Sequence, residues 1–222
     1  MFNFFEKKDS QIKEDVVNEL RWDPCVNELN IQVNATDGII TLRGNAPHFF
    51  DKTIAEEIAL GVGGVKAVAN EIEVVLMNEY KKTDEEIAQA ALEAIKWDYT
   101  IPKKNIKVAV SKGWITLTGE AEWNYQRTSA FKAVKKLMGV VGVTNKITIE
   151  TKVQSKDVRK NIEDALKRSA EVEGRKIEVI VEGDRITLSG KVHSFWEVAD
   201  AGLAAWNAPG VRMVDNNIRI SQ

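Results

Sequence analysis

Apolar positions along this chain follow two periods that alternate three times. Ile12, Val16 and Leu20 stand four residues apart among polar neighbours, as do Ile87, Ala91 and Ile95, and Val158, Ile162 and Leu166. That spacing places them on one stripe of a helix. Asp9, Asp84 and Ser155 come three residues earlier, where N-cap or first-turn residues belong. The period then drops to two. Ile31 and Val33, Ile106 and Val108, and Ile177 and Val179 alternate with polar residues, as a half-buried strand does. A turn follows at Asp37-Gly38, Lys112-Gly113 and Gly183-Asp184, then a second alternating run. Its inward side carries Ile40 and Leu42, Ile115 and Leu117, and Ile186 and Leu188. Glycine suits the positive φ of a tight hairpin. In the third copy it sits one place earlier, which implies a different turn.

A second helical stripe follows each hairpin: Ala55, Ala59 and Val62; Ala130, Val134 and Leu137; Ala201, Ala205 and Ala208. Such small residues let a helix lie close to a sheet. A last alternating run sets Val68, Asn70, Ile72 and Val74 against Ala69, Glu71 and Glu73 on the other face. The expected architecture is therefore α+β: three tandem α-β-β-α-β modules, each a three-stranded mixed sheet with two helices on one face. The boundaries fall at 1–78, 79–151 and 152–222. A one-residue strand slip would turn every inward group to solvent, so the pattern fixes the strand phase. The joints, Met77–Lys82 and Glu150–Gln154, are short and polar. They imply a compact or gently curved row of modules touching their neighbours.

The repeats share more than period. Gly38–Gly44 reads GIITLRG, residues 113–119 read GWITLTG and residues 184–190 read DRITLSG. Twenty residues after the closing glycines Gly44, Gly119 and Gly190 comes G-V-x-x-V-x-N-x-I, opening at Gly64, Gly139 and Gly210. Those three glycines suit a helix C-terminus. The motif's asparagines, Asn70, Asn145 and Asn216, fall on the apolar side of the last strand, where a side-chain amide serves to satisfy nearby backbone groups. In this order of elements, and in both motifs, each copy resembles a BON domain, the osmotically-inducible-protein-Y and nodulation domain of bacteria. The resemblance runs from about residue 9 to residue 222. It implies a non-enzymatic binding protein of the bacterial envelope or osmotic-stress type, attached to phospholipid membrane surfaces.

Composition adds exclusions. A formal net charge of −2 gives no whole-molecule attraction to nucleic acid, and no nucleic-acid partner is expected. The charge is uneven: net −6 over residues 1–78, +3 over 79–151 and +1 over 152–222. The acidic first module and basic second are thus expected to touch. Cys25 is the single cysteine, which rules out an internal disulfide or a cysteine metal cluster; beside Pro24 it reads as a small buried or half-buried residue. His48 and His193 fall at different repeat positions, without metal-ligand spacing to other donors. Gly61-Val-Gly-Gly64 follows a helix, whereas a phosphate loop follows a strand. No enzyme, metal or cofactor is expected. Neither a signal peptide nor an apolar stretch of spanning length is present in the sequence. A cytoplasmic location is expected, or a periplasmic one if the N-terminus has been trimmed.

The aromatic residues supply the candidate site. Trp114 takes the outward phase of its strand, and Trp123 and Tyr125 precede a helix bearing Lys132, Lys135 and Lys136. Tryptophan beside lysine suits a membrane interface, where indole sits among headgroups and ammonium meets phosphate. These six residues are the expected contact with an anionic phospholipid surface. The alternative is a protein partner, in an interaction or holdase role that uses open sheet faces and exposed aromatics. Trp22 and Trp97 end the first helices and are expected to pack there.

Overall fold

A computed structural model describes residues 7–26, 30–102, 105–150, 157–168 and 177–220. The first module runs α1 (Asp9–Trp22), β1 (Gln32–Thr36), β2 (Ile39–Ala46), α2 (Phe49–Gly61) and β3 (Ala67–Val74). The second runs α3 (Asp84–Trp97), β4 (Ile106–Ser111), β5 (Trp114–Ala121), α4 (Asn124–Val134) and β6 (Gly142–Ile149). The third has α5 (Val158–Arg168), β7 (Ile177–Glu182), β8 (Arg185–Val192), α6 (Phe195–Trp206) and β9 (Met213–Ile220). In each sheet the hairpin strands are antiparallel and the last strand joins the central one in parallel. These are three mixed α-β-β-α-β modules. A short 3-10 turn, Asn78–Tyr80, occupies the first joint. Most of the second joint, and Ser155, lie outside the described residues.

The apolar phase decides the cores. Leu42, Leu117 and Leu188 are all fully buried, together with Ile40, Ile115 and Ile186. The first-helix stripes Ile12-Val16-Leu20, Ile87-Ala91-Ile95 and Val158-Ile162-Leu166 pack in the same clusters, as do Ile72, Ile147 and Ile218. Val68, Val143 and Val214 are half-buried at the core edge. Val26 and Ile101, from the loops after the first helices, close the core at equivalent places.

Asp9 and Asp84 stand inside the first turn of their helices; the N-caps are Lys8 and Thr83. Each aspartate accepts two backbone N–H groups from the facing hairpin turn: Asp84 from Lys112 and Gly113, both at 2.8 Å, and Asp9 from Asp37 and Gly38. Those turns hold two residues at positive φ, whereas in the third module Gly183 is left-handed and Asp184 is not. The carboxylates tie helix to hairpin. Asp84→Ala is expected to cost about 1.5–2 kcal/mol, the lower part of the range for hydrogen bonds to charged groups because these two are partly solvated; the midpoint of urea unfolding reports it.

The modules do not form a row. Their second helices meet end to side and close a ring. Repeat alignment makes Phe50, Tyr125 and Trp196 equivalent near the helix starts, and Leu60, Lys135 and Trp206 equivalent near the ends. From module 2, Lys135 pairs with Glu57 of module 1 at 3.0 Å, and Lys135 and Lys136 approach the Phe50 ring at 5.3 and 4.8 Å. Phe49 packs against the module 2 core. From module 1, Gly61 abuts the Trp196 indole of module 3, where a Cβ would lie 2.9 Å from Nε1. From module 3, Trp206 packs against the module 2 core beneath the Arg127 guanidinium, 4.6 Å from the ring centre. Partial burial lowers the Arg127 pKa. The end of each second helix thus meets the start of another, reaching as far along α2 as Glu57, in the order 2 to 1 to 3 to 2. A head-to-tail contact that closes after three steps makes a ring. Arg212 reaches Glu150 at 3.4 Å across the second joint. The acidic and basic modules do touch, through Glu57 and Lys135.

Candidate functional site

The asparagines of the shared motif face their own module's second helix. The Asn145 amide donates to the Arg127 carbonyl at 2.8 Å, while its carbonyl accepts the Ile147 N–H at 3.2 Å. Asn216 makes the equivalent bonds to Val198 and Ile218. Asn70 bonds Lys52 and Ile72 in the same way, and also donates to Glu56. These side chains pin strand to helix.

Structure does not bring the six expected lipid contacts together. Trp114, 48% exposed, lies on the sheet face turned away from the helices, with its indole N–H donated to Thr144 Oγ1 at 2.8 Å. Trp123 and Tyr125 stand at the start of α4, half-buried and exposed respectively. The three lysines lie near its other end, about 10–16 Å along at 1.5 Å per residue. Lys132 and Lys136 are exposed, but Lys135 is only 7% accessible. Its ammonium sits between Glu57 and the Phe50 and Phe131 rings. A side chain so enclosed is unavailable to a lipid phosphate. Lys135 is a ring contact because the face opposite the core stripe of α4 meets module 1, which the repeat alone does not reveal.

A different set of aromatics reaches solvent. Trp22 and Trp97 do not pack at the helix ends; they are 85% and 82% exposed, and Tyr99 is 92% exposed. The reason is angular. Each tryptophan comes two residues after the last stripe residue, Leu20 or Ile95, about 200° round the helix from the core. Immediately after it, Asp23 accepts the Cys25 N–H at 2.8 Å and Asp98 accepts the Thr100 N–H at 2.9 Å. These tight turns hold the chain beside the indoles and send Val26 and Ile101 back into the core. Arg21 and Lys96 precede the tryptophans, both exposed, and Lys167 and Arg168 occupy the same two columns of the third module. Each tip is a basic side chain beside an exposed indole, or beside a second basic residue in module 3.

Cys25 is exposed rather than buried or half-buried, because Asp23 holds its turn on the surface. The His48 ring lies against Tyr80, with centroids 4.6 Å apart and planes tilted by 53°, and His193 is exposed. Among the described residues, no group of three or more His, Cys, Asp or Glu side chains could hold a metal ion, and no helix is long and apolar enough to cross a membrane.

Two solved structures that match are a structural protein of the type III secretion system of Chlamydia trachomatis, CdsD, and the C-terminal domain of that protein. Each is 15% identical, with a TM-score of 0.27. The alignments cover 93% of this chain and 92% of the first, and 97% of this chain and all of the second. No curated protein matches. The BON-domain profile matches three times, at residues 8–75, 83–151 and 154–222, each match holding one helix-hairpin-helix-strand module. The chain belongs to the BON-domain family.

Proposed function

We propose that this ring of BON modules attaches to anionic phospholipid surfaces through the tips of its first helices. The family is associated with membrane- and phospholipid-related binding in stress proteins, and what carries the reading to particular residues is the exposure of Trp22 and Trp97 beside Arg21 and Lys96. A large indole held almost wholly in water at a helix end contributes nothing to its own core. At a bilayer interface the same ring sits at headgroup depth, with its N–H still hydrated. A neighbouring Arg or Lys adds about 1 kcal/mol of attraction to an anionic leaflet. The chain's overall negative charge is no obstacle, since screening limits its reach to about 8–10 Å at physiological salt.

Sedimentation with vesicles of phosphatidylserine and phosphatidylcholine tests this. The protein is expected to bind, to weaken as salt rises, and to bind pure phosphatidylcholine poorly. Trp22→Ala with Trp97→Ala should raise the Kd at least tenfold, about 1.4 kcal/mol. Lys132→Glu with Lys136→Glu should change it far less. The opposite ranking would move the site back to α4, and unaltered binding in both variants would remove both.

A further inference from the structure

The outer face of the middle sheet carries a second surface, on the side away from the helices and independent of the tips. Strand register arranges it as a grid. The first row is Ser111, Trp114 and Gly142, the second Ala109, Thr116 and Thr144, the third Lys107, Thr118 and Lys146. The indole is pressed flat across β6: its six-membered ring covers Gly142, where a Cβ would overlap it, and its N–H is held by Thr144. The outer ring face is half open to solvent, and beside it, over β4 and β5, lies a groove of about 400 Å³ lined by Ala109, Ser111, Thr116 and Trp114. Two rows further on, about 13 Å away at the strand rise, Lys107 and Lys146 flank the Thr118 hydroxyl. Neither lysine has an ion-pair partner among the described residues.

Modules 1 and 3 lack this combination. Ile39 and Arg185 stand where Trp114 does, and their cross-strand charges are spent internally: Arg43 on Glu71 and Arg185 on Asp215, both at 2.7 Å. Among the described residues, only the middle face therefore joins a flat indole to hydroxyls and two cations without an ion-pair partner. We propose that it binds an acidic polysaccharide. A pyranose would lay its C–H face on the electron-rich indole, sugar hydroxyls would meet the threonines, and a carboxylate would sit between Lys107 and Lys146. A single aromatic platform does not suit a nucleic-acid strand, which stacks successive bases on several rings.

Affinity electrophoresis of the full chain through gels containing polygalacturonate is the test. Retardation is expected there, and little in neutral dextran. Trp114→Ala, and separately Lys107→Glu with Lys146→Glu, should each raise the apparent Kd at least tenfold. Gly142→Ala, which displaces the ring while keeping Trp114 and both lysines in the chain, should do the same while circular dichroism stays unchanged. Ile39→Ala should have no effect. The proposal is overturned if polygalacturonate gives no retardation, if dextran retards equally, or if the variants behave as the parent. It is equally overturned if oligo-dT or anionic vesicles bind more tightly and lose that binding with the same substitutions. Loss of vesicle binding in the Trp22 and Trp97 variants would leave polygalacturonate binding intact, so the two surfaces fail separately.

Discussion

Gly119→Ala should unfold the middle module or bring it close to unfolding. Gly119 holds φ +129° in the middle of β5, and a Cβ there would overlap the Asn105 carbonyl oxygen at the start of the neighbouring strand. The obstacle is backbone, so no side chain can rotate away. Backbone strain of this kind costs about 1–3 kcal/mol before the steric overlap is counted, and shifting β4 would disturb Ile106 and Val108 in the core. A total of about 3 kcal/mol or more is expected, in a module of some 70 residues with little stability to spare. Urea unfolding should show it as a lowered midpoint, with hydrogen exchange rising first in β4–β6. Gly142→Ala is the contrast, because the Trp114 ring can swing into solvent and the midpoint should scarcely move.

Lys135→Glu is expected to open the ring at the joint between modules 1 and 2. The substitution places a second carboxylate within reach of Glu57 and removes the ammonium from beside Phe50 and Phe131. Breaking a fully buried ion pair costs about 3–5 kcal/mol. Glu57 is 54% exposed, so water screens part of this, and about 1–3 kcal/mol is the fitting range. Solution scattering provides the readout: a compact chain of this length has a radius of gyration of about 17 Å, and the variant should exceed the parent clearly while its helix content is retained. A Glu57→Lys, Lys135→Glu double variant, with the charges exchanged, should recover much of the compactness.

The two periods in the sequence carried most of the fold. Leu42, Leu117 and Leu188 sit in one phase because slippage would expose each at a cost of about 1.5–3 kcal/mol, and their complete burial follows from that phase. What the repeat could not show was how the modules meet. Interface columns vary in chemistry from copy to copy: Leu60, Lys135 and Trp206 are equivalent, yet the last two meet an acidic-aromatic pair and an apolar core edge respectively. The repeat carries only what the copies share, and in a ring of unlike modules each joint is held by a different pair. Trp22 and Trp97 were legible only in part. Their shared column was plain, but their angle from the stripe, two residues past its last member, points to solvent and outweighs the expectation that a large aromatic packs. Nothing in the sequence joins Lys107 and Lys146 to Trp114, because only strand register brings the three onto one face.

The most direct test of membrane attachment through the helix tips is quenching of indole fluorescence by brominated phospholipids in anionic vesicles. Trp22 and Trp97 should enter the interface, while Trp206, half-buried inside the ring, and Trp114, on an outer sheet face, should not. The parent protein is therefore predicted to lose part of its emission on binding, and a Trp22→Phe, Trp97→Phe variant that still sediments with the vesicles should lose almost none. Equal quenching in parent and variant would contradict the account, because some other tryptophan would then be meeting the bilayer.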